Sequence, residues 1–333
     1  MKPARTPLLD VLTIGAATRD AFVRSSHFEQ IPSDSAPDGY NACLPLGAKI
    51  AIDDLSFHTG GGATNTAVTF RRFGLKTACA IRIGKDPGGT EILSLLKKEH
   101  IDPRAVETDP KDATGYSIIL LAGSGHRAIL TSRGASAYLD RNTLDWKKLS
   151  SSWIYLTSIG GKEKMLKEIF RHAKTSLTRV AWNPGSAELE LGLKALQTHF
   201  LHTDILIFNR EEAATIANCS PRDLECLFHT LGPLPRQALI ITDGARGAYA
   251  YARGLVWHAP AIPGKILNTT GAGDAFSSAL VASLINKGDL AHGLQVGTLN
   301  AASVVRHMGA TTGILPALPT ARACARVRIR QIS

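Results

Sequence analysis

The sequence predicts an α/β fold with a mainly parallel central sheet. Short apolar segments rich in β-branched residues alternate with glycine-containing turns and amphipathic segments along most of the chain. This alternation is typical of βαβ units, in which helices cover a parallel sheet. Polar, glycine-rich stretches recur where the strands are expected to end, which is the edge of such a sheet where ligands bind. With 333 residues, 44% of them hydrophobic, the chain can form one large domain or two modest ones.

The apolar segments predict the individual elements. Residues 8–16 form a short β-branched run that contains glycine near its end, which predicts the first strand. The glycines at 60–62 open a predicted helix that runs to Phe73 and stops at Gly74. Further strands are predicted at 76–83, 153–157, 179–182, 204–208, 238–242, 248–252 and 256–259. Further helices are predicted at 90–99, 164–175, 189–200 and 291–308, and two more open at Asn209 and Asp274.

Two stretches, about 22–58 and 113–133, interrupt this rhythm. The first is rich in Pro, Ser and Asp, lacks a helical period, and ends in the alternating residues 48–53. The second contains two apolar runs on either side of Ala122-Gly123-Ser124-Gly125, which is a hairpin signal. We expect these stretches to form a small added sheet, such as a lid.

The charge balance is basic, with 38 Lys and Arg against 28 Asp and Glu, a net charge of +10. Part of the excess lies in residues 321–333, which we interpret as a solvated basic tail. Neither zinc-finger spacing nor an RNA-binding aromatic motif accompanies the charge, so no nucleic-acid partner is expected.

The five cysteines are scattered and form no Cys-x-x-Cys pair, so we expect reduced thiols in a cytoplasmic protein. Asp10 interrupts the first apolar run, which argues against a signal peptide. The sequence contains no run of about 18 apolar residues, so no membrane span is expected.

The stretch Asn268-Thr269-Thr270-Gly271-Ala272-Gly273-Asp274 carries the strongest chemical signal. Two glycines precede an apolar helix, and one aspartate stands in its first turn. Free N–H groups and the positive end of the helix dipole make such a site suitable for an anion. An aspartate near a helix start is also a routine stabiliser, and that alternative stays open at this point.

Phosphoryl transfer to a hydroxyl group fits these residues. The reaction needs donors for the developing phosphate charge, a metal, and a group that takes the hydroxyl proton. The N–H groups of Gly271, Ala272 and Gly273 are candidate donors, and Asp274 is the candidate proton acceptor. The sequence has no Gly-x-x-x-x-Gly-Lys-Ser/Thr motif, which excludes a P-loop.

Two motifs about 200 residues apart resemble the signatures of the ribokinase (PfkB) family of carbohydrate kinases. Residues 268–276 resemble the second signature, and Gly60-Gly61-Gly62-Ala63-Thr64-Asn65 with residues 84–89 resemble the first. The resemblance covers nearly the whole chain. It implies a single domain, 1–333, with a three-layer α/β/α sandwich, a mainly parallel central sheet and a small β-lid. It also implies ATP-dependent phosphorylation of a small sugar with Mg²⁺.

The resemblance implies a role for each matching residue. Asp274 matches the catalytic base, and Gly271, Ala272 and Gly273 match the anion hole. Asp20, Gly60, Gly61 and Asn65 match contacts to substrate hydroxyls. Asn209, Thr242, Gly244, Gly247, Thr270 and Asn300 match nucleotide contacts, and Glu212 matches a residue that supports Mg²⁺ through water.

Asn268 departs from the family pattern, which has aspartate there. The amide keeps an oxygen but loses the charge, so a nearby monovalent-cation (K⁺) site is in question.

Several alternatives remain. Gly60 and Gly61 could form an ordinary helix entry, and Asp20 and Asn65 could face solvent. Asn209 and Glu212 could simply start a helix. Arg133 is more typical of a solvated arginine than of an anion ligand. A nucleoside kinase would use lid aromatics for the base, with Phe22, Phe28, Tyr40 and Phe57 as candidates. A kinase-like protein without turnover is the other alternative. By analogy, lid strands could pair two copies into a homodimer.

Overall fold

The computed structural model describes residues 8–33, 39–122, 127–139, 144–286 and 288–332. Its main sheet is built from β1 (Leu9–Ile14), β6 (Thr77–Gly84), β7 (Val106–Asp109), β10 (Ser151–Leu156), β11 (Arg179–Trp182), β12 (Ile205–Asn209), β13 (Ala238–Thr242), β14 (Ala248–Ala252), β15 (Leu255–Ala259) and β16 (Arg330–Gln331). The helices are α1 (Gly62–Arg72), α2 (Pro87–Lys98), α3 (Glu163–Ser176), α4 (Ser186–Leu189), α5 (Gly192–Phe200), α6 (Arg210–Ala217), α7 (Leu224–Leu231), α8 (Ala272–Ile285), α9 (Leu290–Val304) and α10 (Ala321–Cys324).

The strand order of the main sheet is β16-β15-β14-β13-β12-β11-β10-β1-β6-β7. Neighbouring strands from β13 to β7 are parallel, and β14, β15 and β16 add an antiparallel edge. The chain leaves β1 towards β6 on one side and towards β10 on the other. The boundary between β1 and β10 is therefore a topological switch point, where a crevice opens at the carboxyl ends of the strands.

Apolar helices cover both faces of this sheet. Buried side chains of α3, α5, α6 and α7 pack on one face, and those of α1, α8 and α9 pack on the other. Two glycines of α9 bring that helix close to α8, since a Cβ at Gly297 would lie 2.8 Å from the Phe276 carbonyl oxygen and one at Gly293 would lie 3.3 Å from Leu280. These layers confirm the predicted α/β/α class.

A second sheet lies over the carboxyl ends of the strands. It is formed by β2 (Thr18–Ser25), β5 (Asp54–Gly60), β8 (Gly115–Ala122) and β9 (Arg127–Ser132) in the order β5-β2-β8-β9, and β3 (Glu29–Pro32) pairs with β4 (Tyr40–Cys43) beside it. The sheet begins at Thr18, four residues before the predicted start, because β2 follows β1 almost directly. Residues 123–125 of the predicted hairpin turn lie outside the described residues.

The interpretation of 321–333 as a solvated tail is wrong for most of that stretch. Residues 321–324 form α10, and β16 pairs with β15. Cys324 and Val327 are buried against the sheet, while Arg322, Arg326 and Arg328 are exposed. The arginines make this stretch look polar in the sequence, although apolar residues lie between them. The described chain contains no helix of the length and apolarity needed to cross a bilayer.

The expectation of five reduced thiols is also wrong, because Cys219 and Cys226 form a disulfide. Cys219 follows α6 and Cys226 lies in α7, a helix that the sequence pattern did not predict. The turn between these helices brings the two Cα atoms to 6.2 Å, a distance that a disulfide spans. Cys43, Cys79 and Cys324 are free.

Reduction of the Cys219–Cys226 disulfide should lower the melting temperature by about 2–5 °C. A crosslink over a loop this short restricts the unfolded chain by about 2 kcal/mol. Calorimetry with and without a dithiol measures the shift. Cys226→Ser should abolish the shift and Cys43→Ser should preserve it. Denatured but unreduced protein should titrate as three thiols, and a titration of all five would contradict the disulfide.

Candidate active site

The start of α8 lies at the carboxyl edge of the main sheet. The Leu267 and Asn268 N–H groups both donate to the Val305 carbonyl oxygen, at 2.8 and 3.2 Å. Asn268 Oδ1 then accepts from Thr270 N at 3.0 Å. Gly271 closes the turn with φ 79°, a left-handed conformation that glycine adopts without strain. These bonds fix where the helix begins.

Three N–H groups at this helix start have no backbone acceptor within the described chain: those of Gly271, Gly273 and Asp274. The Ala272 N–H donates to Thr269 O at 3.2 Å, so of the three predicted donors it is the one that already has an acceptor. The space in front of Gly273 is open, since a Cβ there would meet no atom within 4 Å. The Thr270 hydroxyl is buried and unpartnered in the described chain. The helix start therefore presents donors to an open, polar space.

A hydrogen bond between side chains links Asp274 to α1. Asn65 Nδ2 donates to Asp274 Oδ2 at 2.8 Å, which joins residues 209 positions apart. Surrounding protein desolvates the carboxyl and raises its pKa to about 6; the Asn65 hydrogen bond opposes that shift and the charge of Asp20 adds to it. Asn65 is 5% exposed, which excludes the solvent-facing alternative. Its Oδ1 is buried without a partner among the described residues.

Asp20 projects from β2 towards the same crevice. Its Oδ1 accepts from Thr18 Oγ1 at 2.8 Å, and it lies in register with His58 on β5 and Ser117 on β8. Burial raises the pKa of Asp20, although hydrogen bonds from Thr18 and Ser117 and the His58 charge oppose the shift. Asp20 is therefore no surface turn residue. The sequence reasoning missed Ser117, whose signal is a lone polar position in an otherwise apolar strand.

Gly60 and Gly61 make room for these groups. A Cβ at Gly60 would lie 1.9 Å from Asp20 Oδ2, and one at Gly61, with φ 94°, would lie 2.4 Å from Ala16 O. Any other residue would displace the Asp20 carboxylate or separate α1 from β1. The glycines thus serve the site as well as the helix entry.

Asn209 and Glu212 start α6 with a reciprocal cap. Asn209 Oδ1 accepts from Glu212 N and Glu212 Oε2 accepts from Asn209 N, both at 2.8 Å. The ordinary helix-start alternative is therefore correct for these contacts. Burial raises the pKa of Glu212; the bond from Asn209 opposes that shift and the nearby Asp274 charge adds to it. The Glu212 carboxylate is therefore close enough to Asp274 for the two charges to interact.

Thr242, Gly244 and Gly247 form the turn after β13. Gly244 and Gly247 have φ values of 54° and 98°, and a Cβ at Gly247 would lie 2.0 Å from Ala259 O. Asp243 anchors the turn through ion pairs with Arg210 and Arg246. The loop is therefore held in a conformation that brings bare backbone to the surface.

The side chain of Asn300 bonds to neighbouring backbone on both sides of its amide. It is fully buried, its Nδ2 donates to Ala275 O at 2.8 Å, and its Oδ1 accepts from Leu315 N at 2.9 Å. The nucleotide contact expected for Asn300 stays a prediction, and in this structure the amide joins α9 to α8 and to the segment at Leu315.

A cavity of about 900 Å³ lies beside this turn, and sequence reasoning did not anticipate it. Its walls come from 258–263, the second half of α9, and 315–330. His258 joins it to the turn after β13, with Nε2 2.8 Å from Arg246 O. Within the described ranges, no cluster of three or more His, Cys, Asp or Glu residues could hold a metal by itself.

Comparison with known proteins shows the family of the chain. The family model for pfkB family carbohydrate kinases matches residues 40–318, and the chain belongs to this family of kinases. This confirms the resemblance and the enzyme class inferred from the sequence. Ribokinase of Haemophilus influenzae is 25% identical over 264 residues, which cover 77% of this chain and 83% of that protein.

Solved structures agree in fold. A nucleoside kinase of Methanocaldococcus jannaschii has a TM-score of 0.74 at 21% identity, covering 95% of this chain and 97% of that one. Arabidopsis thaliana ribokinase, complexed with ribose and ATP, has a TM-score of 0.74 at 18% identity and covers 96% of this chain and 98% of that one. At these identities the structures establish the shared architecture alone.

Neutralising Asp274 should stabilise the folded chain at neutral pH. Its pKa lies above the ordinary value of 3.8, so ionisation above pH about 6 opposes folding. In Asp274→Asn an amide oxygen still accepts from Asn65, and we expect a gain of about 1–3 kcal/mol at pH 8, discounted for partial exposure. The gain should shrink as pH falls from 6 towards 4, because the wild-type carboxyl then becomes protonated in the folded state. Chemical denaturation of both proteins at pH 8 and at pH 4 measures the difference in the free energy of unfolding.

Asp86→Asn is the matched control. Desolvation raises the pKa of Asp86, but hydrogen bonds from Gly89 and Thr114 lower it by more, so the pKa lies below its ordinary value. Its neutralisation should therefore destabilise the chain at pH 8. A loss of stability in Asp274→Asn at pH 8, or a gain that is equal at both pH values, would contradict the electrostatic account.

Proposed function

We propose that the chain transfers the γ-phosphoryl group of ATP to a hydroxyl group of a small sugar. The Asn65–Asp274 hydrogen bond beside the open N–H groups of α8 is the observation that carries the proposal. It brings a poised carboxylate and an anion-binding helix start to one side of the crevice. These are the two groups that phosphoryl transfer requires from a protein.

Asp274 takes the hydroxyl proton in this proposal. With a pKa of about 6 the carboxyl is mostly ionised at neutral pH yet more basic than an ordinary aspartate. A base is most effective when its pKa lies near the working pH. Asn65 fixes one carboxylate oxygen, which leaves the other for the acceptor hydroxyl.

The start of α8 holds the transferred group. The N–H groups of Gly271 and Gly273 have no backbone acceptor in the described chain, the space at Gly273 is open, and the helix dipole adds a positive end there. The buried Thr270 hydroxyl is a further donor for phosphate oxygens. Since charge spreads over the phosphoryl oxygens as the transfer proceeds, preformed donors lower the barrier.

The acceptor lies between the lid and α1. Asp20, Gly60, Gly61 and Asn65 line this side, with carboxylate and amide oxygens that suit hydroxyl groups. Two of the four lid aromatics are already in contact with other side chains. Phe22 is 1% exposed, packed in the lid core and edge-on to His58. The guanidinium of Arg19 covers the Phe57 ring at 4.2 Å. These contacts favour a sugar over a nucleoside.

ATP and Mg²⁺ fit the remaining residues. Thr242, Gly244 and Gly247 present backbone next to the 900 Å³ cavity, which is large enough for a nucleoside moiety. When bound, Mg²⁺ neutralises phosphate charge, and it is usually held by one or two carboxylates through its waters. Glu212 supplies such a carboxylate near Asp274, with Asn209 holding it. Asn268 has a buried, unpartnered Nδ2 among the described residues, so we propose that K⁺ is not required.

We further propose a homodimer through the lid. Leu55, Ile129 and Leu130 of the lid sheet are about half exposed, at 49%, 47% and 55%, and suit a partner surface. A cytoplasmic location also remains a proposal, and in a reducing compartment the Cys219–Cys226 bond would open.

Release of ADP across a panel of sugars, sugar acids, sugar phosphates and nucleosides tests this function. With Mg²⁺, and with or without K⁺, we expect turnover of at least one sugar-type acceptor. Asp274→Asn should lower kcat by at least about 10²-fold while ATP still binds, because proton transfer is lost and the phosphate site is kept.

Asp223→Asn, at an exposed helix cap outside the residues assigned to the site, makes the same chemical change and should keep full activity. Near-normal activity of Asp274→Asn would refute the catalytic role. Failure of every acceptor would instead support a binding protein without turnover.

A further inference from the structure

Arg133 lies at the mouth of the acceptor crevice. Its guanidinium is beside the loop that follows β10, where a Cβ at Gly160 would lie 3.5 Å from Arg133 Nη1. The loop follows the carboxyl end of β10, which pairs with β1 at the switch point. Because ligands bind at this edge of a parallel sheet, the arginine lies beside the ligand edge. We infer from this position that the acceptor carries an anionic group, a carboxylate or a phosphate, which Arg133 binds. The inference rests on the proposed function and names its substrate class.

The backbone around Arg133 is tied to the acceptor side of the site. Arg133 immediately precedes the 3₁₀ turn Gly134–Tyr138. Ser136, in that turn, accepts from Ala17 N at 3.3 Å and donates to Ala17 O at 3.1 Å. Ala17 is also the residue against which Gly61 packs, since a Cβ at Gly61 would lie 2.6 Å from its Cα. Arg133 is therefore held at a fixed distance from Asp20 and the glycines.

The surface opposite the guanidinium is rigid. Gly160 and Gly161 adopt φ values of 78° and 68°. The Glu188 carboxylate is fully buried and accepts from Ile159 N and Gly161 N, each at 2.8 Å. Because the loop is anchored and carries no side chain at Gly160, the Arg133 guanidinium can lie close to the loop backbone.

The charge of Arg133 is not neutralised by a neighbour. Arg133 is exposed and takes no part in the ion pairs of the described chain. Nearby Arg82 differs, because its guanidinium pairs with Asp109 at 2.7 Å and Glu107 at 3.5 Å. Of these two guanidinium charges, only that of Arg133 has no carboxylate partner among the described residues. A guanidinium binds carboxylate or phosphate through two parallel hydrogen bonds, which adds geometric selectivity.

The crevice itself also favours an added positive group. Asp20, Asp274 and Glu212 are carboxyls whose pKa values are all raised by burial. An anionic acceptor that entered this crevice without a cation would be repelled by them. In this inference, Arg133 offsets that repulsion at the anionic group that it binds.

Steady-state kinetics on matched acceptors test the inference. For an aldose, its aldonic acid and its terminal phosphate ester, wild-type kcat/KM should be at least about tenfold higher for one anionic member than for the neutral sugar. Arg133→Gln should raise KM for that anionic acceptor about 10- to 100-fold, with kcat within about threefold, and leave the neutral sugar unchanged. Arg133→Lys should recover part of the loss, since lysine keeps the charge without the fork.

Arg171→Gln is the matched control, because it removes an exposed arginine from α3 and should change no kinetic constant. The wild-type comparison needs no variant, so a folding defect in Arg133→Gln would not hide the answer. Equal or better turnover of the neutral sugar, or an equal effect of Arg133→Gln on both acceptors, would overturn the inference and leave the kinase function intact. Failure of all acceptors would overturn the proposed function and the inference with it.

Discussion

The hydrogen bond from Asn65 to Asp274 is the contact on which the site depends. It joins the first helix of the chain to the helix that starts at residue 272, and so connects the acceptor side of the crevice to the phosphate side. Two further hydrogen bonds connect the start of α8 to the main sheet. Tyr155 donates to Ser277 Oγ, which donates to Gly273 O, each at 2.6 Å. The sheet therefore fixes the start of α8 from below while Asn65 fixes it from the side.

This arrangement explains why an unfavourable charge is kept in the fold. Burial opposes ionisation of Asp274, and the nearby Asp20 charge adds to that cost. The cost is tolerated because the closely packed α8 and α9 hold the helix start in place. A carboxyl whose pKa is raised by burial destabilises the fold when it is ionised, and it is also a stronger base than an ordinary carboxylate. Groups with shifted pKa values cluster at functional sites.

Sequence pattern predicted the class of fold and the central residues of the site, because both depend on local signals. The glycines at 60, 61, 271 and 273 and the alternation of strands and helices are visible along the chain. Contacts between distant segments were not visible. The cavity beside β15, the buried amide of Asn300 and the Cys219–Cys226 bond each depend on tertiary packing. The packed segment 321–331 was hidden by its arginines, and the bonding of Ala272 N–H depends on the geometry of one turn.

The pH dependence of kcat/KM, measured for the wild type and for Asn65→Ala, tests the central claim most directly. The acid limb reports the pKa of the essential base in the free enzyme. For Asp274 it should lie at about 6, with activity lost as the pH falls below that value and the carboxyl becomes protonated. Because the Asn65 hydrogen bond favours the ionised form, its removal should move the limb to higher pH. A limb near the ordinary aspartate value, or one that Asn65→Ala leaves unmoved, would contradict the account.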